Sequence, residues 1–309
     1  MEEKQKIQIV YFGHGLAGYY GIKKLMTGKL KDEIDIREVV VSNNPSGAAE
    51  IVRECAKMHG LIVSHYPYDA NNLAEKIKKY KADMGIVMNF DRKIDEEIIF
   101  AFPKGMWNVH PSNLPKYRGG LPLESIIVNG DEYRCTVHEM TGKFDEGDII
   151  YKSAPVKIYD MDIDELYSFS SKQSALALED ALSLMIEEKI TKIAQDNTAA
   201  TYANKKDLDK LLHINWQRDN GEMIYQKIIA GGKGRGAISS IVVNDKEKNF
   251  RVTEANYVPF KQTKEDYGKV SVFDDCYAVN VRGGTIYFKA TFDDPLIKET
   301  LDTNSIILE

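Results

Sequence analysis

Short apolar segments alternate with amphipathic segments over the first 110 residues, and this alternation constrains the fold more than any other feature. The apolar segments IQIVYF, IDIREVVVS, LIVSHY, DMGIVMNF and MWNVH have the composition of buried strands. Between them, the stretches from Tyr19 to Thr27, GAAEIVRECAKMHG, NNLAEKIKKYK and KIDEEIIFAF have helical spacing, and Pro103 follows the last. Buried strands that alternate with helices form βαβ units. The sequence therefore predicts an α/β fold with an open, mostly parallel, Rossmann-like sheet and helices on both faces.

The pattern changes after Gly130. YRCTVHEM and GDIIYKSAPVKI predict an antiparallel strand pair around the loop TGKFDEG, and a long helix is expected from Asp162 to about Lys189. The polar residues 194–207 resemble a linker. One helix near residues 221–230 and the short strands AISSIVV, FRVTEANYV, KVSVF, YAVNV and TIYFKA then predict a small β-rich, OB-like barrel domain. We expect an N-terminal domain of residues 1–200 and a C-terminal domain of residues 207–309.

Composition excludes several classes of protein. Hydrophobic residues make up 43% and charged residues 28% of the 309 positions, which is usual for a globular protein. The net charge of −6 provides no basic field for polyanions. Three isolated cysteines, the absence of a signal-peptide pattern and the lack of a long apolar run lead us to expect a cytoplasmic protein without membrane association.

Glycines follow the first predicted strand with the spacing Gly13-x-Gly15-x-x-Gly18. A dinucleotide-binding site also needs an acidic residue at the end of the second strand, where this chain has Ser42-Asn43-Asn44. The interpretation that we favour is a tight strand-to-helix turn, and a small ligand or phosphate near the turn is the alternative.

The segment NVHPSNLPKYRGG, residues 108–120, concentrates residues that can do chemistry. Asn108 and His110 alternate on one predicted strand, so both side chains point to the same face near its C-terminal end. A lone histidine is more often structural. An amide beside an imidazole can instead stabilise a developing oxyanion while the imidazole exchanges a proton.

A second segment, MTGKFDEGD, places Asp145 between Gly142 and Gly147. By itself Asp145 would be a turn residue. Next to His110 it would stabilise an imidazolium and select the tautomer of the ring. The sequence alone does not show that these residues are adjacent.

Together these segments resemble the folate-dependent formyltransferases. That family has an Asn-x-His strand, a Ser-Leu-Leu-Pro-x-Tyr-Arg-Gly loop and, about thirty-five residues later, a Leu-Asp-Thr-Gly motif or a variant of it. The stretch LPLESIIVNGDEYRCTVHEM and the segments TYANK and INW extend the resemblance over nearly the whole chain. It implies that Asn108, His110 and Asp145 are the catalytic residues.

The resemblance also implies 10-formyltetrahydrofolate as the formyl donor, a primary amine as the acceptor and no metal. Two positions depart from the family pattern, because Asn113 stands where leucine is usual and Glu146 where threonine or alanine is common. The pterin ring of the donor would be held by Met88, Asn89, Phe90, Gly142, Lys143 and Phe144. Residues expected to contact the acceptor are Ser112, Lys116, Tyr117 and Arg118.

Three acceptors fit such a family: methionyl-tRNA, an amino-sugar nucleotide and glycinamide ribonucleotide. Enzymes of the last type resemble only about the first two hundred residues. From Lys205 to the end the chain has sixteen Lys and Arg against sixteen Asp and Glu. The tRNA enzymes of the family carry a basic insertion after the second strand, whereas VVVSNNPSGAAEIVREC passes from strand to helix without one. Neutralising tRNA phosphates requires a clustered excess of basic residues, so we favour an amino-sugar nucleotide over methionyl-tRNA.

Two other classes of protein make different predictions. A binding protein that has lost the chemistry would lack part of the Asn108, His110 and Asp145 set, and all three residues are present. A nicotinamide dehydrogenase built on the glycine turn would bind a dinucleotide tightly.

The sequence leaves the oligomeric state open, and a homodimer is compatible with it.

Overall fold

The structure is a computed structural model that describes residues 5–44, 47–67, 70–260, 267–273, 275–303 and 306–308. Contacts group the chain into two compact units. The first unit comprises Met1–Gly119, Tyr133–Val156 and Tyr167–Tyr202, and the second comprises Gly120–Glu132, Lys157–Leu166 and Ala203–Glu309. Each unit is therefore assembled from segments that are not continuous in sequence. The division into domains of residues 1–200 and 207–309 stays a prediction.

Helices and strands follow the alternation that the sequence predicts. Up to the segment with the Asn-x-His pattern they are β1 (Ile7–Gly13), α1 (Gly15–Thr27), β2 (Ile34–Ser42), α2 (Gly47–Met58), β3 (Val63–Tyr66), α3 (Ala70–Tyr80), β4 (Met84–Met88), α4 (Glu96–Ile99) and β5 (Met106–His110). Beyond it they are α5 (Pro122–Asn129), β6 (Thr136–Glu139), β7 (Ile149–Lys152), α6 (Ile163–Ile186), α7 (Leu208–Leu211), α8 (Gly221–Arg235), β8 (Ala237–Val243), β9 (Lys246–Pro259), β10 (Val270–Phe273), β11 (Cys276–Val281), β12 (Gly284–Thr291) and α9 (Pro295–Leu301).

The first unit contains a seven-stranded sheet in the order β3-β2-β1-β4-β5-β6-β7. Pairing is parallel from β3 to β5 and antiparallel for β6 and β7. Every residue of β4 is buried, as expected for a parallel strand covered on both faces. The predicted α/β fold class with a mostly parallel sheet is confirmed. The order also places the carboxyl ends of β4 and β5 side by side, where sheets of this type bind ligands.

The glycine-rich turn after β1 packs the strand closely against α1. Gly15 has a φ of +59°, which favours glycine. A Cβ at Gly18 would lie 3.1 Å from the Gly13 Cα, closer than side chains pack. These contacts give the glycines a structural role in the turn.

Some predicted elements differ from those observed. The helix expected over KIDEEIIFAF is only the single turn Glu96–Ile99, since Phe100 already leaves helical geometry. Helix α5 begins two residues after the segment 108–120, in a stretch where no helix was predicted. The expected linker begins inside the first unit, because residues 195–202 make hydrogen bonds to it.

The second unit contains a five-stranded antiparallel sheet in the order β10-β11-β12-β9-β8. All five strands predicted for this region are present, and the β-rich character is confirmed. The core of the sheet includes the fully buried Trp216, whose ring centroid lies 5.2 Å from that of Phe288. Its indole N–H donates to Ser239 Oγ at 2.8 Å, which satisfies the buried donor.

In the part of the chain that the structure describes, no helix has both the length and the apolar character that are needed to cross a membrane.

Candidate functional site

The strand β5 presents Asn108 and His110 on one face, as the alternation of side chains along a strand requires. His110 is 4% exposed, and Asn108 is partly buried. Both side chains face the carboxylate of Asp145. Asn108 Nδ2 lies 3.3 Å from Asp145 Oδ1, and His110 Nδ1 lies 3.8 Å from Asp145 Oδ2. The three residues expected to act together are thus neighbours.

Asp145 reaches this position from the loop between β6 and β7. Its φ of +54° is in the left-handed region, which costs a non-glycine residue conformational energy. The Gly119 N–H donates to Asp145 Oδ2 at 2.8 Å, and the Gln195 side chain donates to the Asp145 carbonyl oxygen at 2.8 Å. At Gly147 a Cβ would collide with the Glu139 carbonyl oxygen, so the loop requires glycine there.

His138 is a fourth member of the site that sequence reasoning passed over. Its Nε2 lies 3.2 Å from Asn108 Nδ2 and 3.4 Å from Asp145 Oδ1. The cause is the register of β5 and β6, which places His138 directly opposite Asn108 in the antiparallel pair. The only sequence signal was the position of His138 in the strand that precedes the Asp145 loop.

Hydrogen bonds to backbone carbonyls determine the tautomers of both imidazoles. His138 Nδ1 lies 2.7 Å from the Glu139 carbonyl oxygen, and His110 Nε2 lies 2.9 Å from the Tyr117 carbonyl oxygen. Because a carbonyl oxygen only accepts, each of these nitrogens carries a proton. In the neutral rings, His138 Nε2 therefore accepts from Asn108, and His110 Nδ1 turns an unprotonated lone pair toward Asp145.

The electrostatics of the site favour a neutral imidazole beside an ionised carboxylate. Burial lowers the pKa of His110, and this outweighs the opposing effects of Asp145 and the Tyr117 carbonyl. Burial by itself raises the pKa of Asp145, but the imidazoles of His110 and His138, which attract the carboxylate when they carry a second proton, and the Gly119 N–H hold that pKa well below its ordinary value. The site thus combines an amide donor with two proton acceptors at neutral pH.

Of the two segments expected to hold a pterin, one lies at the end of β4 and the other directly precedes Asp145. Asn89 follows β4 with a φ of +56°, and the Phe90 ring packs edge-on to Phe12 at 5.6 Å. In the loop before Asp145, the side chain of Phe144 is 69% exposed. The exposed Asn89 and the exposed ring of Phe144 are suitable surroundings for a flat polar ring.

The remaining residues of the predicted pterin site contribute differently. The side chain of Met88 is buried, its carbonyl oxygen accepts from the His14 N–H, and the Lys143 side chain is 77% exposed. A Cβ at Gly142 would meet the Glu96 carboxylate, the flexible end of an exposed side chain that can move aside. The roles of these residues in folate binding stay predictions.

Of the four residues expected to contact the acceptor, three are buried and one, Lys116, is exposed. Ser112 is fully buried and donates to the Lys116 carbonyl oxygen at 2.8 Å, and Arg118 is 1% exposed. Lys116 has an exposed side chain, whereas Tyr117 is buried with a φ of +62°. Contact with an acceptor stays a prediction for all four residues.

Both departures from the family pattern have protein partners. Asn113 Oδ1 accepts from Lys152 Nζ at 2.9 Å, a hydrogen bond that leucine could not make. Glu146 Oε1 lies 3.7 Å from Arg118 Nη1. Each departure therefore places a polar group where the chain supplies a basic side chain.

Comparison with known proteins identifies one family over the first part of the chain. Residues 5–182, more than half of the chain, match the family described as Formyl transferase. The chain is 29% identical over 193 residues to the methionyl-tRNA formyltransferase of Borrelia recurrentis (strain A1), which covers 60% of this chain and 62% of that protein. It is 30% identical over 208 residues to the bifunctional polymyxin resistance protein ArnA of Wigglesworthia glossinidia brevipalpis, which covers 65% of this chain and 31% of that protein. The chain thus spans less than two thirds of the length of these relatives.

Solved structures extend the likeness in fold to almost the whole chain. WlaRD, a sugar 3N-formyl transferase solved with dTDP and 5-N-formyl-THF, matches with a TM-score of 0.67 and 17% identity over 94% of this chain and 100% of that chain. The N-formyltransferase from Helicobacter canadensis, solved with folinic acid and dTDP-3-aminofucose, matches with a TM-score of 0.68 and 17% identity over 93% of this chain and 100% of that chain. At this identity the likeness concerns the fold.

Proposed function

Because the chain belongs to the formyl transferase family, we propose that it transfers the formyl group of 10-formyltetrahydrofolate to a primary amine. The observation that carries this proposal is the convergence of Asn108 and His110 on the carboxylate of Asp145. An amide donor, a neutral imidazole and an ionised carboxylate are the groups that transfer to a carbonyl carbon requires. Neighbours in fold that were solved with formyl-THF or folinic acid add support.

Asn108 would stabilise the formyl oxygen as the amine adds to the formyl carbon. In the described structure its two N–H groups point to His138 Nε2 and Asp145 Oδ1, at 3.2 Å and 3.3 Å. These hydrogen bonds are long, so one of them can be exchanged for a bond to the formyl oxygen as negative charge develops there. This donor then acts in the transition state more strongly than in the ground state.

His110 and Asp145 would handle the proton of the amine. The lone pair on His110 Nδ1 faces Asp145 Oδ2 across 3.8 Å, and both atoms can accept a hydrogen bond. A group that carries protons satisfies both acceptors when it lies between them, which favours an amine at this point. The imidazole takes a proton from the attacking nitrogen and delivers it to the folate nitrogen as the bond from that nitrogen to the formyl carbon breaks.

We favour an amino-sugar nucleotide as the acceptor. The part of the sequence from Lys205 to the end has equal numbers of basic and acidic residues, sixteen of each, and the whole chain has a net charge of −6. This balance gives the C-terminal part of the chain no net excess of cations for tRNA phosphates. The fold likeness to sugar N-formyltransferases covers both sheets of this chain.

Methionyl-tRNA is the second candidate acceptor. Several curated relatives carry the name methionyl-tRNA formyltransferase, and one of them, from Protochlamydia amoebophila (strain UWE25), aligns with 83% of this chain. The two candidates differ in size and charge, so they can be separated in one assay.

The assay offers 10-formyltetrahydrofolate with either dTDP- or UDP-linked 3-amino and 4-amino sugars or with charged methionyl-tRNA. N-formyl product is followed by mass spectrometry and tetrahydrofolate release by absorbance. Asn108→Ala protein is the control for transfer that is not catalysed at this site. Formylation of an amino-sugar nucleotide is the expected result. Turnover of the tRNA alone would overturn the choice of acceptor, and no transfer to any amine would overturn formyl transfer itself.

A further inference from the structure

We propose that Gln195 is a positioning residue for the formyl-transfer site, because its side-chain amide holds the backbone of the Asp145 loop in place. The inference rests on the proposed function. Gln195 lies in the polar stretch after α6, and 50 residues separate it from Asp145. Nothing in its sequence context points to the site, whereas its contacts do.

The amide nitrogen of Gln195 bridges two carbonyl groups of the loop. Nε2 donates to the carbonyl oxygens of Asp145, at 2.8 Å, and of Gly147, at 2.7 Å. A primary amide has two N–H groups, and both are used here. The two carbonyls flank Glu146, so the side chain holds the backbone on either side of the turn.

The amide oxygen of Gln195 is fixed by a buried arginine. Gln195 Oε1 accepts from Arg118 Nε at 3.2 Å and from Arg118 Nη2 at 2.9 Å. Arg118 is 1% exposed, and its Nη2 also donates to Asn197 Oδ1 at 2.8 Å. Because a guanidinium donates only, the oxygen of Gln195 must face Arg118 and its nitrogen must face the loop.

This arrangement acts on the reactive carboxylate from two sides. Gly119 follows Arg118 in sequence, and its N–H donates to Asp145 Oδ2 at 2.8 Å. One segment therefore holds the carboxylate directly and, through Gln195, holds the backbone that carries it. The left-handed φ of Asp145 is a conformation that surrounding contacts must maintain, and these contacts do so.

Two substitutions separate the roles of the two ends of Gln195. Gln195→Ala removes every contact of the amide. Gln195→Glu keeps an acceptor for Arg118 but places an oxygen against the carbonyls of Asp145 and Gly147, where no proton is donated at neutral pH. If the side chain acts through donation to the loop, both variants lose function. If it only satisfies Arg118, Gln195→Glu retains function.

We expect both variants to lower kcat on the order of 100-fold, since a displaced reacting group costs about that much. Imidazole nitrogen chemical shifts of His110 and His138, recorded without substrates, should change in both variants because the Asp145 carboxylate moves. Asp196→Ala is the matched control. It removes the cap on Thr198 N in the same segment, bonded at 2.9 Å, without touching the Asp145 loop.

The imidazole chemical shifts test the role of Gln195 even if the proposed formyl transfer is wrong, because they are recorded without substrates. If the wild-type protein transfers no formyl group, the imidazole shifts still test whether Gln195 positions Asp145. Folded Gln195 variants with wild-type kcat and unchanged imidazole shifts would overturn the inference. Loss of kcat in Asp196→Ala equal to that in Gln195→Ala would also overturn it, because the effect would then belong to the segment as a whole.

Discussion

Asn108 donates a hydrogen bond to the Asp145 carboxylate across 3.3 Å, although 37 residues separate them in the chain. The contact joins the middle of β5, which pairs in parallel with β4, to the loop between the antiparallel strands β6 and β7. Because the two side chains are hydrogen-bonded, a substitution of one changes the hydrogen bonding and the position of the other. The expected effects of substitution follow from this coupling.

Replacement of Asn108 by alanine removes the donor that we propose faces the developing oxyanion. We expect kcat to fall by about 100- to 1000-fold, the usual cost of one such donor. The melting temperature should change little, because the side chain is only partly buried. Asn249→Ala, at an exposed position of β9, should keep wild-type kcat. A loss of less than about tenfold in Asn108→Ala would contradict an oxyanion role.

We expect His138 to affect kcat by holding the side chains of Asn108 and Asp145 in position. His138→Ala removes the acceptor 3.2 Å from Asn108 Nδ2, and the amide is then free to rotate away from the position that we propose for the formyl oxygen. We expect kcat to fall about tenfold, equivalent to one hydrogen bond. Steady-state kinetics on His138→Ala measure this, and His213→Ala, which removes a histidine near Ser240 in the second unit, is the control. Equal kinetics in the two variants would show that His138 has no part in the site.

The pH dependence of activity should reflect the neutral form of His110. Burial lowers the pKa of His110 from its ordinary value of 6.5, so the ring stays neutral and able to accept a proton at and below that pH. The acid limb of kcat/KM is therefore expected below pH 6.5. Measurement of initial rates across the acid range tests this. An acid limb above pH 6.5 that stays in place for acceptor amines of different basicity would indicate a ring whose pKa is raised instead, because a limb set by the amine moves with the pKa of the amine.

The same pKa shift affects stability. The unfolded chain binds a proton at His110 near pH 6.5, whereas the folded protein binds it only at lower pH. The contribution of His110 to the free energy of unfolding is thus complete above pH 6.5 and is lost as the pH falls below it. Denaturant unfolding of wild type and His110→Gln should show a smaller acid-induced loss in the variant. Parallel curves for the two proteins would contradict this assignment.

Trp216 anchors the core of the second unit. Trp216→Ala leaves a large cavity beside Phe288 and removes the donor to Ser239, so we expect a loss of about 3–5 kcal/mol in the free energy of unfolding. Equilibrium denaturation followed by circular dichroism measures it. Met223→Ala, at a position 39% exposed on α8, is the control and should change stability by less than about 0.5 kcal/mol. Similar losses in both variants would argue against a core centred on Trp216.

Local patterns in the sequence were reliable where neighbouring residues decide the structure. The apolar segments of the first 110 residues became strands of one sheet, and the pattern Asn108-x-His110 placed both side chains on one face. The bounds of the helix before β5 could not be read in this way. The run KIDEEIIFAF has helical composition, yet it forms only one helical turn, and its residues Ile98, Ile99 and Phe102 pack into the core.

The sequence by itself determined the alternation of strands and helices, the face shared by Asn108 and His110, and the glycine turn after β1, because each depends on the geometry of adjacent residues. Only the tertiary structure decided that His138 stands opposite Asn108 and that Gln195 reaches the Asp145 backbone. Strand register and the packing of a distant polar segment depend on contacts among residues far apart in the chain, and the periodicity of one segment carries no record of those contacts.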